Sequence, residues 1–174
     1  MKDTYNIYID VALRKSGILI TKNKRPIEHF VLKYDNEFNI EAFEDIFKHK
    51  KFIKNVLKKI KEKYGRFDKA FLEADVLGFR KGGFKNKELM TIVRMNYSFS
   101  LSEILVKPEN IHFITASVWK RKLFGNASLK KNEYKEKLIK LIESELKTKI
   151  DQSTNMDILD AYGIFLYFLK LNIV

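Results

Sequence analysis

The sequence contains no cysteine, which excludes both a disulfide framework and a thiolate metal site. Only two of its 174 residues are proline and seven are glycine, and no linker, repeat or low-complexity tract interrupts the chain. A membrane helix needs about 18 or more consecutive apolar residues. No such run is present, and no signal peptide opens the chain. These absences predict one soluble, intracellular domain over residues 1–174, with no membrane partner. Acids are scarce as well: 22 Asp and Glu stand against 34 Lys and Arg, leaving a formal net charge of +12. That imbalance points to a polyanion, nucleic acid ahead of a lipid surface. A hydrophobic fraction of 45% is enough for a real core.

The periodicity predicts an α/β fold. Thr4–Asp10 (TYNIYID), Gly17–Thr21 (GILIT) and Ile27–Lys33 (IEHFVLK) read as three strands joined by short turns, an antiparallel meander. Ile40–Lys63 follows as a long amphipathic helix, and Lys69–Ala74 (KAFLEA) as a fourth strand. Asp75–Lys87 reads as a glycine-rich basic loop, Glu88–Leu105 as a helix, Ile111–Ala116 as a fifth strand and Leu129–Lys149 as a helix. Strands that alternate with helices in the second part imply parallel pairing there, hence a mixed five-stranded sheet covered by helices.

The last helix, Asn155–Leu171 (NMDILDAYGIFLYFLKL), is apolar nearly all round yet carries two acids. Asp157 and Asp160 share one face at helical spacing, with Cβ atoms about 5–6 Å apart. Two like charges beside a core are costly unless compensated, and a divalent cation is the simplest compensation. Thr154 followed by Asp157 also fits a capping box, which would make Asp157 a helix-start residue; Asp160 lies one turn too deep for that. Two further acids end strands, Asp10 and Glu73. If those strands are parallel neighbours, both acids stand at one sheet edge, where α/β sheets gather their ligands. Four hard oxygen donors without cysteine suit Mg²⁺ or Mn²⁺. Each acid alone has a plainer reading, since a strand-end Asp often makes an Asx turn and Glu73 could be merely exposed. Gly78 and Gly83 have P-loop spacing, but Phe84 stands where the Lys belongs and no Ser or Thr follows, so a nucleotide site is excluded. His29, His49 and His112 show no ligand spacing.

In order and spacing these residues resemble the RuvC family of Holliday junction resolvases, within the RNase H-like superfamily. Members end their first strand in an Asp followed seven residues on by Gly, matched by Asp10 and Gly17, with Ser16 where Thr is usual. Val11 and Ala12 replace the family's Pro-Gly. The fourth-strand Glu matches Glu73, and the closing D-x-x-D-A matches Asp157, Asp160 and Ala161. Lys120, Gly125 and Lys131 reproduce a further Lys-Gly-Lys spacing. Small size and divergence resemble the phage-encoded members, for which the location would be the host cell cytoplasm.

The resemblance implies an RNase H-like five-stranded mixed sheet, three antiparallel strands and then parallel ones, flanked by helices. It implies a Mg²⁺-dependent endodeoxyribonuclease acting on four-way and other branched DNA, with two ions and Mn²⁺ able to substitute. Asp10, Glu73, Asp157 and Asp160 would hold the metal, with Asp10 bridging. Lys131 would meet the scissile phosphate, joined in DNA binding by Lys120, Lys130, Arg80, Lys81 and Lys85. The family's base-stacking aromatic is replaced by Val76, leaving Phe79 or Phe84 to substitute, unless both only pack the loop. A homodimer is implied, through the helix Glu88–Leu105 and either Leu89, Ile92, Val93, Asn96 and Tyr97 or the stripe Met90, Arg94, Tyr97 and Leu101. The rival readings are an RNase H-type or flap nuclease on the same fold and a non-catalytic basic DNA-binding protein.

Overall fold

A computed structural model describes residues 3–74 and 83–174, with side chains at 3–73 and 87–174. Its centre is a five-stranded sheet in the order β3-β2-β1-β4-β5. The strands are β1 (Tyr5–Asp10), β2 (Lys15–Lys22), β3 (Arg25–Lys33), β4 (Lys69–Ala74) and β5 (Ile111–Thr115). The first three form the expected antiparallel meander, and β4 and β5 run parallel to β1. The connections dictate this order: the short turns between β1, β2 and β3 permit only antiparallel neighbours, whereas helical crossovers return the chain in the same direction.

Strand periodicity sends alternate residues to opposite layers. Ile7, Ile9, Ile18, Ile20, Ala70 and Leu72 face one core, closed by α1 (Phe43–Tyr64) and α2 (Gly83–Ile104). Tyr8, Leu19 and Phe71 face the other, closed by α3 (Ala116–Phe124), α4 (Lys131–Leu146) and α5 (Met156–Lys170). Helix α1 has Glu44 and Asp45 in its first turn and Lys61 and Lys63 in its last, matching the helix dipole, and it stops at Gly65 with φ 80°. Among the described residues no helix is long and apolar enough to cross a membrane.

Two features differ from the sequence expectation. Helix α2 begins at Gly83 rather than Glu88, because nothing between Phe84 and Lys87 breaks a helix once the glycine pair is passed; Phe84 and Lys85 therefore stand in its first turn. Helix α3 was not expected at all. It follows β5 without a loop and ends at Gly125, whose φ of 74° makes it the left-handed cap after Arg121 and Lys122. Its nine residues are few for a periodicity signal, although Trp119 with the basic last turn and the glycine marks it in retrospect.

His49 on α1 is buried in an aromatic cage of Tyr34, Phe38 and Tyr97. Asn96 Nδ2, which also donates to the Ile46 carbonyl, donates to His49 Nδ1 at 3.1 Å, so the ring is the neutral Nε2–H tautomer. Burial pushes this imidazole down to about 4. A histidine depressed in the folded state contributes stability that is complete above its unfolded value of about 6.5 and is lost as pH falls toward 4. In urea denaturation the wild type is expected to lose on the order of 3 kcal/mol more over that window than His49→Gln. Parallel profiles for the two proteins would remove His49 as the cause.

Candidate active site at the carboxyl ends of β1 and β4

Asp10 and Glu73 are the terminal or near-terminal residues of parallel neighbours, one step beyond the pair Ile9 and Leu72. Because side chains alternate, Asp10 shares a face with Tyr8, and Glu73 with Phe71. Both acids thus lie on the α5 side of the sheet. Across the antiparallel ladder Asp10 is paired with Gly17. Gly17 is where α5 lands: a Cβ built there would stand 1.7 Å from the Asp157 carbonyl oxygen and 2.7 Å from the Ile158 amide nitrogen. The spacing of seven from Asp10 to Gly17 is thereby explained, since only a residue without a side chain lets the first turn of α5 rest on β2 beside Asp10.

The turn before Gly17 is held by Ser16. Its hydroxyl donates to the Ala12 carbonyl at 2.8 Å and accepts from the Ala12 amide at 3.0 Å, and the Tyr97 hydroxyl on α2 donates to it at 2.8 Å. One buried hydroxyl thus shapes the turn that carries Val11 and Ala12.

The start of α5 differs from the capping box the sequence suggests. Asn155 is the N-cap, accepting from the Asp157 amide at 2.8 Å, so Asp157 is the second helical residue and its carboxylate is not needed for the cap. Asp160, one turn on, is reached by two groups: the Tyr134 hydroxyl donates to Oδ1, and Lys120 Nζ lies 4.0 Å from Oδ2. Glu73 Oε2 accepts from the Trp119 indole N–H at 2.9 Å.

The electrostatics place the four acids in one field. The Asp10 carboxyl is held well above the usual carboxylate range, first by burial and then by the charges of Glu73, Asp160 and Asp157, with Lys120 opposing. Burial likewise raises Asp160 against the pull of Lys120 and Tyr134, and raises Asp157 against Lys15 and Lys131. A carboxyl raised in the folded state contributes stability at low pH that is lost as pH climbs above about 4 through the raised value. Asp10→Asn is therefore expected to melt higher than the wild type at neutral pH without added metal, by about 2–4 °C for each kcal/mol of repulsion relieved. An unchanged or lower melting temperature would deny that Asp10 is a strained charge.

Among the described residues no group of three or more His, Cys, Asp or Glu side chains closes onto a single metal-binding point. The donor chemistry nonetheless fits a hard divalent cation: four carboxylates share one field, and a cation relieves the repulsion that raises Asp10. The histidines lie elsewhere. His29 on β3 bonds the Tyr162 hydroxyl, His49 is caged on α1, and His112 on β5 stacks on Phe71.

A cavity of about 300 Å³ opens beside Asp160, lined in part by Lys120, Lys131, Tyr134, Asn126 and Leu129. Lys131 is the first residue of α4, and Lys130, its N-cap, is exposed. The structure thus brings Lys120 and Lys131 to the acids. Phe79, Arg80 and Lys81 lie outside the described residues, as does Val76, and so do the side chains of Phe84 and Lys85. Sequence reasoning missed the partners Trp119 and Tyr134, although a lone tryptophan directly before Lys120 was a usable signal.

No protein-family model matches the sequence, and no curated protein does. Solved structures do match. Thermus thermophilus RuvC superposes with a TM-score of 0.64 over 97% of both chains at 13% identity. The same protein in complex with Holliday junction substrate gives 0.66 at 12% identity, covering 97% of this chain and 96% of that one. In strand order, in the antiparallel-then-parallel sheet and in its flanking helices, this chain has a RuvC-like fold of the RNase H-like kind.

Proposed function

We propose that this protein is a divalent-metal-dependent endonuclease that resolves branched DNA, four-way junctions above all. The observation that carries the reading is the gathering of Asp10, Glu73, Asp157 and Asp160 into one electrostatic field at the end of a RuvC-like sheet, with Lys120 and Lys131 beside them. Asp10, Glu73, Asp157 and Asp160 would hold Mg²⁺, with Mn²⁺ able to substitute. Bound there, the metal would supply water activation and leaving-group stabilisation for in-line phosphodiester hydrolysis. The chain's own groups do the rest. Asp10, on the strand and within the field of the other three acids, would be a ligand to that cation. Lys131, in the lining of the cavity, takes the scissile phosphate, and Lys120 offsets charge on Asp160 and on phosphate. The net charge of +12 supplies salt-dependent affinity for the DNA backbone.

A four-way junction needs two symmetric cuts, and one set of four acids makes one, so the active form is a dimer with an isologous interface. The face expected from sequence is spent internally: Val93, Asn96 and Tyr97 are buried, and so is Leu101 of the alternative stripe. Apolar residues stand on both faces of α2, so the pattern of the helix by itself names no buried side. Among the described residues the exposed ones are Met95 and Phe99, and on the adjoining α1 they have Phe43 and Phe47, whose rings are 4.8 Å apart. Phe43 is 73% exposed, a large apolar area for a charged helix to leave in water.

The test sets a four-way junction, a fork, a flap, an RNA–DNA hybrid and a linear duplex side by side, with Mg²⁺ and with chelator. Paired cuts in the junction that require Mg²⁺ are expected. Preference for the hybrid or flap would move the substrate within the fold, and binding unaffected by chelator with no cleavage anywhere would leave only a DNA-binding protein. In sedimentation equilibrium, Phe47→Glu with Phe99→Glu is expected to shift dimer to monomer and to uncouple the two cuts. Unchanged mass would place the interface elsewhere.

A further inference from the structure

Two of the four acids are held by neutral donors that no family motif announces. Trp119, the chain's one tryptophan, is fully buried on α3 and gives its indole N–H to Glu73 at 2.9 Å. Tyr134, buried on the first turn of α4, gives its hydroxyl to Asp160. The two rings lie 6.2 Å apart, and Lys120 Nζ sits 5.0 Å from the Trp119 ring and 4.4 Å from the Tyr134 ring. Both rings are backed. Gly163 of α5 gives up its side chain to the indole, for a Cβ there would stand 2.4 Å from the ring, and Phe124 meets Tyr134 edge-on at 5.7 Å.

A neutral donor differs from a lysine in what it does to a carboxylate. It fixes the direction of one oxygen and leaves the negative charge in place, which is what a cation ligand requires. Phenylalanine would fill nearly the same apolar space as Tyr134, so packing alone gives no reason for that hydroxyl to end on an acid, and at Trp119 the indole fills the space left by Gly163 while its one polar atom still ends on Glu73. Tyr134 also forms part of the cavity wall shared with Lys120 and Lys131, so the brace and the phosphate-facing lysines are one unit.

We propose that Trp119 and Tyr134 are positioning residues that aim Glu73 and Asp160 at a common cation and hold Lys120 between their rings. The proposal rests on the reading that these acids bind a divalent ion. It is tested by calorimetric titration of Mn²⁺ into the wild type, Trp119→Phe and Tyr134→Phe, each checked for folding by circular dichroism. Loss of such an outer partner typically weakens a metal by about 10- to 100-fold, and that loss is expected in both variants. Because Trp119 is the sole tryptophan, Mg²⁺ is also expected to change its emission in the wild type, and to do so at higher concentration in Tyr134→Phe. In junction cleavage, kcat falls while KM stays near the wild-type value.

Wild-type affinity in the variants would overturn the brace and leave the metal reading standing. No binding by the wild type would overturn both. Tyr134→Phe removes a single oxygen, so it decides the matter if Trp119→Phe does not fold.

Discussion

Asp160→Asn is expected to lower junction cleavage by on the order of 10³-fold or more while leaving junction affinity unchanged or tighter. Asparagine keeps the size of the side chain and can still accept from Tyr134, so the helix and its packing survive. What is lost is the negative charge on a half-buried oxygen that Lys120 and a cation would share. Removing an anion from a site that receives phosphate relieves repulsion of the DNA backbone, and the many other basic residues that supply the affinity are untouched. Single-turnover cleavage beside fluorescence anisotropy, at one fixed salt concentration, separates the two effects. Near-normal Mg²⁺-dependent cleavage by the variant would end the assignment. Asp10→Asn should behave in the same way. A smaller loss is expected for Asp157→Asn, because Asp157 lies half-buried in the first turn of α5 and Lys15 and Lys131 already offset its charge.

Gly17→Ala carries the second large effect, through geometry alone. The new methyl would stand 1.7 Å from a backbone oxygen of α5, and backbone cannot swing aside as a long side chain can. Either the first turn of α5 lifts or β2 sinks, and β2 is buried from Ser16 to Thr21. Overpacking of this kind costs about 1–3 kcal/mol and occasionally more. The functional loss is larger, since displacing Asp157 and Asp160 by about 1 Å relative to Asp10 is enough for about a 100-fold fall in rate. The expected result is a folded, less stable protein with cleavage reduced about 100-fold and junction binding nearly intact. Wild-type cleavage in Gly17→Ala would mean that α5 does not need this close seat on the sheet.

Much of the site was legible because its acids break patterns that are otherwise uniform. Asp10 and Glu73 end apolar strands, and Asp157 and Asp160 interrupt a helix that is apolar nearly all round. A strand's period of two and the parallel pairing of β1 with β4 then require Asp10 and Glu73 to stand side by side on one face. Less was legible where the signal is short or two-sided. The nine residues of α3 offer barely two turns of pattern, and the apolar residues of α2 lie on both of its faces, so its buried side was chosen only by the sheet and α1.

Sequence alone determined the α/β class, the mixed sheet, the basic character of the chain and the four candidate acids, since each depends on residue type and local spacing. Tertiary structure decided the rest: that Asn155 rather than Thr154 caps α5, that Gly17 seats Asp157 beside Asp10, and that Trp119 and Tyr134 grip Glu73 and Asp160. The cap is a local choice between two adjacent residues, but the other contacts join residues 26 to 140 positions apart, Tyr134 to Asp160 and Gly17 to Asp157, and no local periodicity records which distant side chains the packing of helices on a sheet will bring together.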